Sequence, residues 1–120
     1  EIKTITINGV EYVEKSTANQ AEKQSLAGLD YVIVRGDRSG VFAGYMEKRE
    51  GREVTLLNCR RLWYWDGAAS LSQLAIDGVS KPSNCKFTVP ADILVLDAIE
   101  VLDVTKKAFD SISGVKEWKQ

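Results

Sequence analysis

The stretch "DYVIVRGDRSGVFAGYMEKREGREVTLLNCRRLWYW", residues 30–65, reads as three strands and two turns. Its first segment, "DYVIVRG" at 30–36, is rich in β-branched residues, which fit a pleated sheet. "DRSG" at 37–40 has turn composition, and "VFAGYMEKRE" at 41–50 returns as a second strand. Glu50-Gly51 turns the chain again into "REVTLLNCRRLWYW" at 52–65. Turn signals about ten residues apart identify an antiparallel meander. Gly40 and Gly44 bracket the start of the second strand and mark either bulges or a close approach of backbone.

Outward from this meander the period changes. "ASLSQLAIDG" carries Leu71, Leu74 and Ala75 at helical spacing and closes on Gly78, with Asp66 as the best N-cap. A loop with Pro82 follows, then a short strand "KFTV" at 86–89. "DILVLDAIEVLDV" at 92–104 reads as a central strand from its Ile, Val and Leu content, though a helix also accommodates it. "TKKAFDSIS" at 105–113 forms a short helix capped by Asp103 or Thr105 and stopped by Gly114. Before the meander, "IKTITINGVEYV" at 2–13 alternates around Asn8-Gly9, a strong hairpin signal. Residues 14–28 are polar and read as a short helix or a loop. The expected fold is a single α+β domain over residues 1–120, an antiparallel β-sheet meander with two or three short helices, the last at the C-terminus.

Composition narrows the function. The 120 residues are 44% hydrophobic and 28% charged, an ordinary globular balance that supports one domain with a small core. With 16 basic and 17 acidic residues the net charge is −1, so the broad basic footprint of a DNA- or RNA-binding surface is missing. No apolar run approaches the roughly 20 residues of a membrane span, and no signal peptide is visible. Cys59 and Cys85 form no CxxC motif. They are read as reduced and mostly buried, hence intracellular, with one disulfide as the alternative. Without histidine, neither Ser-His-Asp nor Cys-His catalysis is available, nor are the common zinc sets. The expectation is a protein that is not an enzyme and needs no cofactor and no metal. Asp92, Asp97, Glu100 and Asp103 match no familiar metal spacing. "RGDRSG" at 35–40 reads as a turn rather than an adhesion motif, and "EKREGRE" at 47–53 as a solvated hairpin tip.

The cations and largest aromatics concentrate in "NCRRLWYWDGAASLSQLAIDG", residues 58–78. On a strand, Arg61, Trp63 and Trp65 share one face, and Arg60, Leu62 and Tyr64 the other. A guanidinium beside an indole packs internally as a cation–π pair, or grips phosphate while the indole stacks on a base. One face as core and the other against a partner subunit accounts for the same pattern. The amides of Gly67, Ala68, Ala69 and Ser70 would crowd the first turn of the helix that follows, where free N–H groups favour anions. Phe87 is either core or a stacking platform. Asp97 is either a buried hydrogen-bonding group or a ligand contact. Trp118 should pack on the sheet or on a neighbour.

"CRRLWYWDGAASLSQLA", followed by "KPSNCKF" and an apolar run with "DAIE", resembles the Thoeris anti-defence 1 family of small phage proteins, over roughly Tyr31 to Trp118. That resemblance implies a sponge acting in the cytoplasm of the infected bacterial host. It would sequester cyclic ADP-ribose-type immune signals, and in some members cyclic oligonucleotides, without cleaving them. Phe87 would stack on the base, Arg60 or Arg61 would contact phosphate, Asp97 would touch the ligand, and Lys116 would stand at the C-terminal basic contact. If the family carries arginine there, lysine is a departure that weakens stacking. The resemblance also implies a homo-oligomer built from dimers, up to a hexamer. The ligand-binding expectation therefore covers Arg60, Arg61, Trp63, Trp65, Ala69, Ser70, Phe87, Asp97 and Lys116. Two other readings fit the residues: a phage accessory protein that covers a host enzyme with its Trp/Arg-rich surface, and a carboxylate-dependent hydrolase.

Overall fold

The computed structural model describes residues 28–120 and the backbone of two short N-terminal strands, β1 (Thr6–Ile7) and β2 (Val10–Glu11). These two pair antiparallel with Ile7 opposite Val10, on either side of Asn8-Gly9 as the hairpin reading expects. Of the polar segment 14–28, all but Gly28 lies outside the described residues.

The meander forms as read: β3 (Asp30–Gly36), β4 (Val41–Glu50) and β5 (Glu53–Tyr64) run antiparallel in sequence order. After α1 (Leu71–Asp77) and a single 3₁₀ turn (Pro82–Asn84) come β6 (Lys86–Phe87), β7 (Ala91–Val95), β8 (Ala98–Asp103) and α2 (Lys106–Ser113). The sheet order is β6-β5-β4-β3-β8, with β7 also on β5.

The run expected as one central strand over 92–104 is instead two strands that break at Leu96-Asp97. β7 pairs with β5 and β8 with β3, so this bent run joins the two edges of the meander and closes the sheet in part, with no ladder between β7 and β8 themselves. The break has a chemical cause. Asp97 leaves the ladder to accept hydrogen bonds from the backbone N–H groups of Arg38 (2.8 Å) and Ser39 (3.1 Å) and from the Ser39 hydroxyl (2.6 Å). Its carbonyl accepts from the Asp37 N–H at 2.8 Å. The outward residues Leu94, Leu96, Ile99 and Val101 are exposed, unlike those of a central strand.

Closure divides the apolar residues into two cores. Val32, Val34, Phe42, Val54, Leu56, Cys59, Val95 and Ala98 pack inside the closed sheet. Ile33, Tyr31, Ala43, Tyr45, Leu62 and Phe87 face outward onto Leu74 of α1 and Ala108 and Ile112 of α2. This is why β3 is apolar along nearly its whole length: it is buried on both faces. Cys59 and Cys85 are both free and buried.

The helices are tied by their caps. Thr105 caps α2, its Oγ1 accepting from the Ala108 N–H (3.0 Å) while its hydroxyl donates to the Ile76 carbonyl (2.6 Å). Gly78 ends α1 at φ 78°, a conformation that favours glycine, and a Cβ there would strike Ser111 of α2. At the other end of α1 the N-cap is Ser70, not Asp66: the Ser70 hydroxyl accepts from the Gln73 N–H at 3.1 Å. Asp66 instead accepts from the side-chain amide of Asn84 at 3.0 Å, which anchors the 3₁₀ turn.

Candidate functional site

A bulge in β5 decides where the arginines go. Asn58 has φ 50°, and the pairing with β4 slips between Ala43 and Tyr45. Upstream, Val54 and Leu56 point into the closed sheet; downstream, Arg60 and Leu62 point toward the helices.

Arg60 is 5% exposed. Its guanidinium donates to three main-chain carbonyls, of Thr88 (Nε, 2.9 Å), Ile112 (Nη1, 2.8 Å) and Phe87 (Nη2, 3.1 Å). The Ile112 carbonyl lies in the last turn of α2, where the helix dipole favours a cation. Phe87 is fully buried beside it, the guanidinium carbon 5.6 Å from the ring centre. The arrangement staples β5, β6 and α2 together, and the Phe87 ring offers no face to solvent.

Arg61 points the other way. Its guanidinium lies over the Phe42 ring at 4.6 Å, and Nη1 donates to the Ser39 carbonyl at 2.8 Å. It borders a shallow groove with Arg38, Leu94, Leu96 and Asp97. Asp97 holds the 37–40 turn in place there. The Ser39 hydroxyl first, then the Arg38 amide, hold its carboxyl below the ordinary aspartate value.

The start of α1 is occupied by its own cap. The Ala69 N–H donates to the Gln73 side chain at 2.8 Å, while Ser70 serves the Gln73 amide. Trp65 is partly buried against the outer core.

Three segments meet at one surface. Trp63 from β5 and Trp118 from the C-terminal segment lie 5.2 Å apart between ring centres, tilted by 32°. The Lys86 Nζ sits 5.1 Å from the Trp63 ring and 5.4 Å from that of Trp118. Trp63 is 59% exposed, the adjacent Tyr64 50% and Trp118 39%. The Trp118 N–H donates to the Phe87 carbonyl at 2.9 Å, which pins the C-terminal segment beside β6. Lys116 is exposed and borders the next depression along the same segment, which Trp118 also lines. Among the described residues Lys86 makes no ion pair with a carboxylate. A cation beside two adjoining, accessible indoles suits a flat, anionic partner: the rings stack while the ammonium meets negative charge.

Of the residues expected to bind a ligand, the fold thus brings Trp63 to this surface and Lys116 to the depression next to it. It places Arg61 and Asp97 at the groove beside the 37–40 turn, Ala69 and Ser70 at the cap of α1, and Arg60, Phe87 and Trp65 in or against the core. Sequence reasoning did not assign Tyr64, Lys86 or Trp118 to a site. The missing signal was the pairing of Tyr64 with Lys86 across β5 and β6.

Residues 29–112 match the model of a protein family described as a domain of unknown function (DUF6948), a span running from the residue before β3 almost to the end of α2. No curated protein and no solved structure matches the chain.

Proposed function

The chain belongs to the DUF6948 family, and from the chemistry of its surface we propose that it is a non-catalytic binding protein for a flat, anionic, nucleotide-type ligand. One observation carries this reading: Lys86 lies over two accessible indoles, Trp63 and Trp118, with no carboxylate partner among the described residues. A purine or similar ring stacks on the indoles, and its phosphate meets Lys86, with Lys116 further along the same segment. The resemblance to Thoeris anti-defence 1 proteins supplies the specific form. In that form a phage protein in the host cytoplasm holds a cyclic ADP-ribose-type signal, or a cyclic oligonucleotide, and returns it uncleaved. A homo-oligomer belongs to the same proposal. β8 ends the sheet path and exposes Ile99 and Val101, an edge on which a second copy can pair.

Calorimetry and tryptophan fluorescence test this with cyclic ADP-ribose, its glycocyclic isomers and cyclic di- and trinucleotides. The expected result is quenched emission, binding lost in Trp63→Ala and Trp118→Ala, and intact ligand released on heating. Cleaved ligand would replace the sponge by a phosphodiesterase, and no binding of any of these would remove the reading. Light scattering tests the oligomer, which a monomeric protein rules out.

A second reading rests on the same exposed tryptophans and Tyr64. Such residues dominate protein interfaces when they are desolvated, so a host enzyme is the alternative partner. Its mark is a host protein that co-purifies in fixed ratio without nucleotide and is lost in Trp63→Ala.

A further inference from the structure

A second recess lies on the helix-facing side of the sheet. It is a pocket of about 160 Å³ bordered by Tyr31, Tyr45, Asn58, Arg60, Phe109 and Glu117, among others. Its volume corresponds to about five waters. None of the three residues of the indole–lysine surface lines it.

Two polar groups in its wall are left with unused donors. Tyr31 is 4% exposed, its ring held edge-on by Tyr45 (5.1 Å, 77°) and Phe109 (4.8 Å, 83°). Among the described residues its hydroxyl has no hydrogen-bond partner, which is unusual for a buried phenol. Burial raises its pKa well above the ordinary tyrosine value, so it stays a neutral donor. Arg60, 5% exposed, uses three of its five N–H groups on main-chain carbonyls. It makes no ion pair with a carboxylate among the described residues. Glu117 borders the same recess; its exposed carboxylate pairs with Lys119 at 3.7 Å and its charge also reaches Arg60. A buried guanidinium with N–H groups to spare and no carboxylate in ion-pair contact among the described residues, beside an idle hydroxyl donor, suits a small anion.

The geometry points to this pocket as a binding site for a small carboxylate, of the size of acetate, held by the free N–H groups of Arg60 and the hydroxyl of Tyr31. The ring triad would shield the methyl side of the ligand, and the planar carboxylate would match the planar guanidinium. This site stands independently of the surface reading above.

The test is a titration of the ¹⁵N-labelled full chain with sodium acetate near neutral pH, at ionic strength held constant with sodium chloride. Acetamide, the neutral analogue, is the parallel arm. Saturable shifts of the Arg60 Nε–H and the Asn58 amide with acetate, absent with acetamide, support the site. Tyr31→Phe keeps the ring packing and should weaken acetate binding about tenfold. A crystal soaked in acetate should show the anion against Arg60. Absence of saturable shifts, equal response to acetamide, unchanged affinity in Tyr31→Phe, or only ordered water in the soaked pocket would each overturn the proposal.

Discussion

Gly44 of β4 lies directly against Cys59 of β5: a Cβ on Gly44 would stand 2.7 Å from the Cys59 Cβ and 2.8 Å from its Cα. The bulge at Asn58 and the missing side chain at Gly44 are two halves of one device. Gly44→Ala should cost about 1–3 kcal/mol in urea denaturation, the usual penalty for overpacking. Because the clash involves the backbone and Cβ of Cys59, adding Cys59→Ala should not restore the loss. A double variant with wild-type stability would show that the strands separate without strain.

The two neighbouring arginines should behave oppositely. Arg60→Met removes three charge-assisted hydrogen bonds to main-chain carbonyls and should destabilise by about 3 kcal/mol. Arg61→Met gives up one hydrogen bond and one ring contact and should cost about 1 kcal/mol. Thermal or chemical denaturation decides between them, and equal losses would mean that Arg60 is not a staple.

Asp97 makes the tie between the 37–40 turn and the break in the closing run acid-sensitive. Hydrogen bonds from Ser39 and Arg38 lower its folded value below 3.8, so the folded protein binds this proton less readily than the unfolded chain does. Its contribution is therefore complete above 3.8 and is lost as pH falls through the lower folded value. Asp97→Asn has no charge to titrate. The stability gap between wild type and Asp97→Asn, followed by denaturant midpoint, should narrow on acidification below 3.8. A gap of constant size would contradict the assignment.

Cys59 should be chemically silent in the folded protein. Burial in the closed sheet pushes its thiol up to about 12, and it is fully inaccessible. Alkylation followed by mass spectrometry at mildly alkaline pH should label Cys59 only as fast as the sheet opens, and immediately in denaturant. Rapid labelling under native conditions would place it outside the inner core.

Much of the architecture is written locally. The strand at 30–36, the turn at 37–40, the strand at 41–50 and the stop at Gly78 follow from a few adjacent residues each, whereas the cap of α2 was narrowed only to Asp103 or Thr105 and that of α1 is Ser70 and not Asp66. Turn chemistry, capping bonds and side-chain alternation act over one to four positions, so a single sequence reveals them. The candidate site was less legible. Trp63 was singled out because it shares a strand face with Arg61 and Trp65, and Lys116 because the family resemblance implies a basic contact there. Lys86 could not be, because nothing within its own segment announces that two indoles lie beside it.

Alternation along 60–64 told which residues share a face, but not which face was inward. That choice came from the bulge at Asn58, from Gly44 on the facing strand, and from carbonyls at 87, 88 and 112 that surround Arg60. The break at Leu96-Asp97 likewise depends on a turn almost sixty residues upstream. By itself the sequence determined the meander, its turns and the C-terminal helix, since those rest on short-range sterics and hydrogen bonding. Only the tertiary structure decided the closure of the sheet, the burial of Arg60 and the meeting of Trp63, Lys86 and Trp118. Register and long-range pairing settle the absolute face of every residue, and a one-residue slip reverses it.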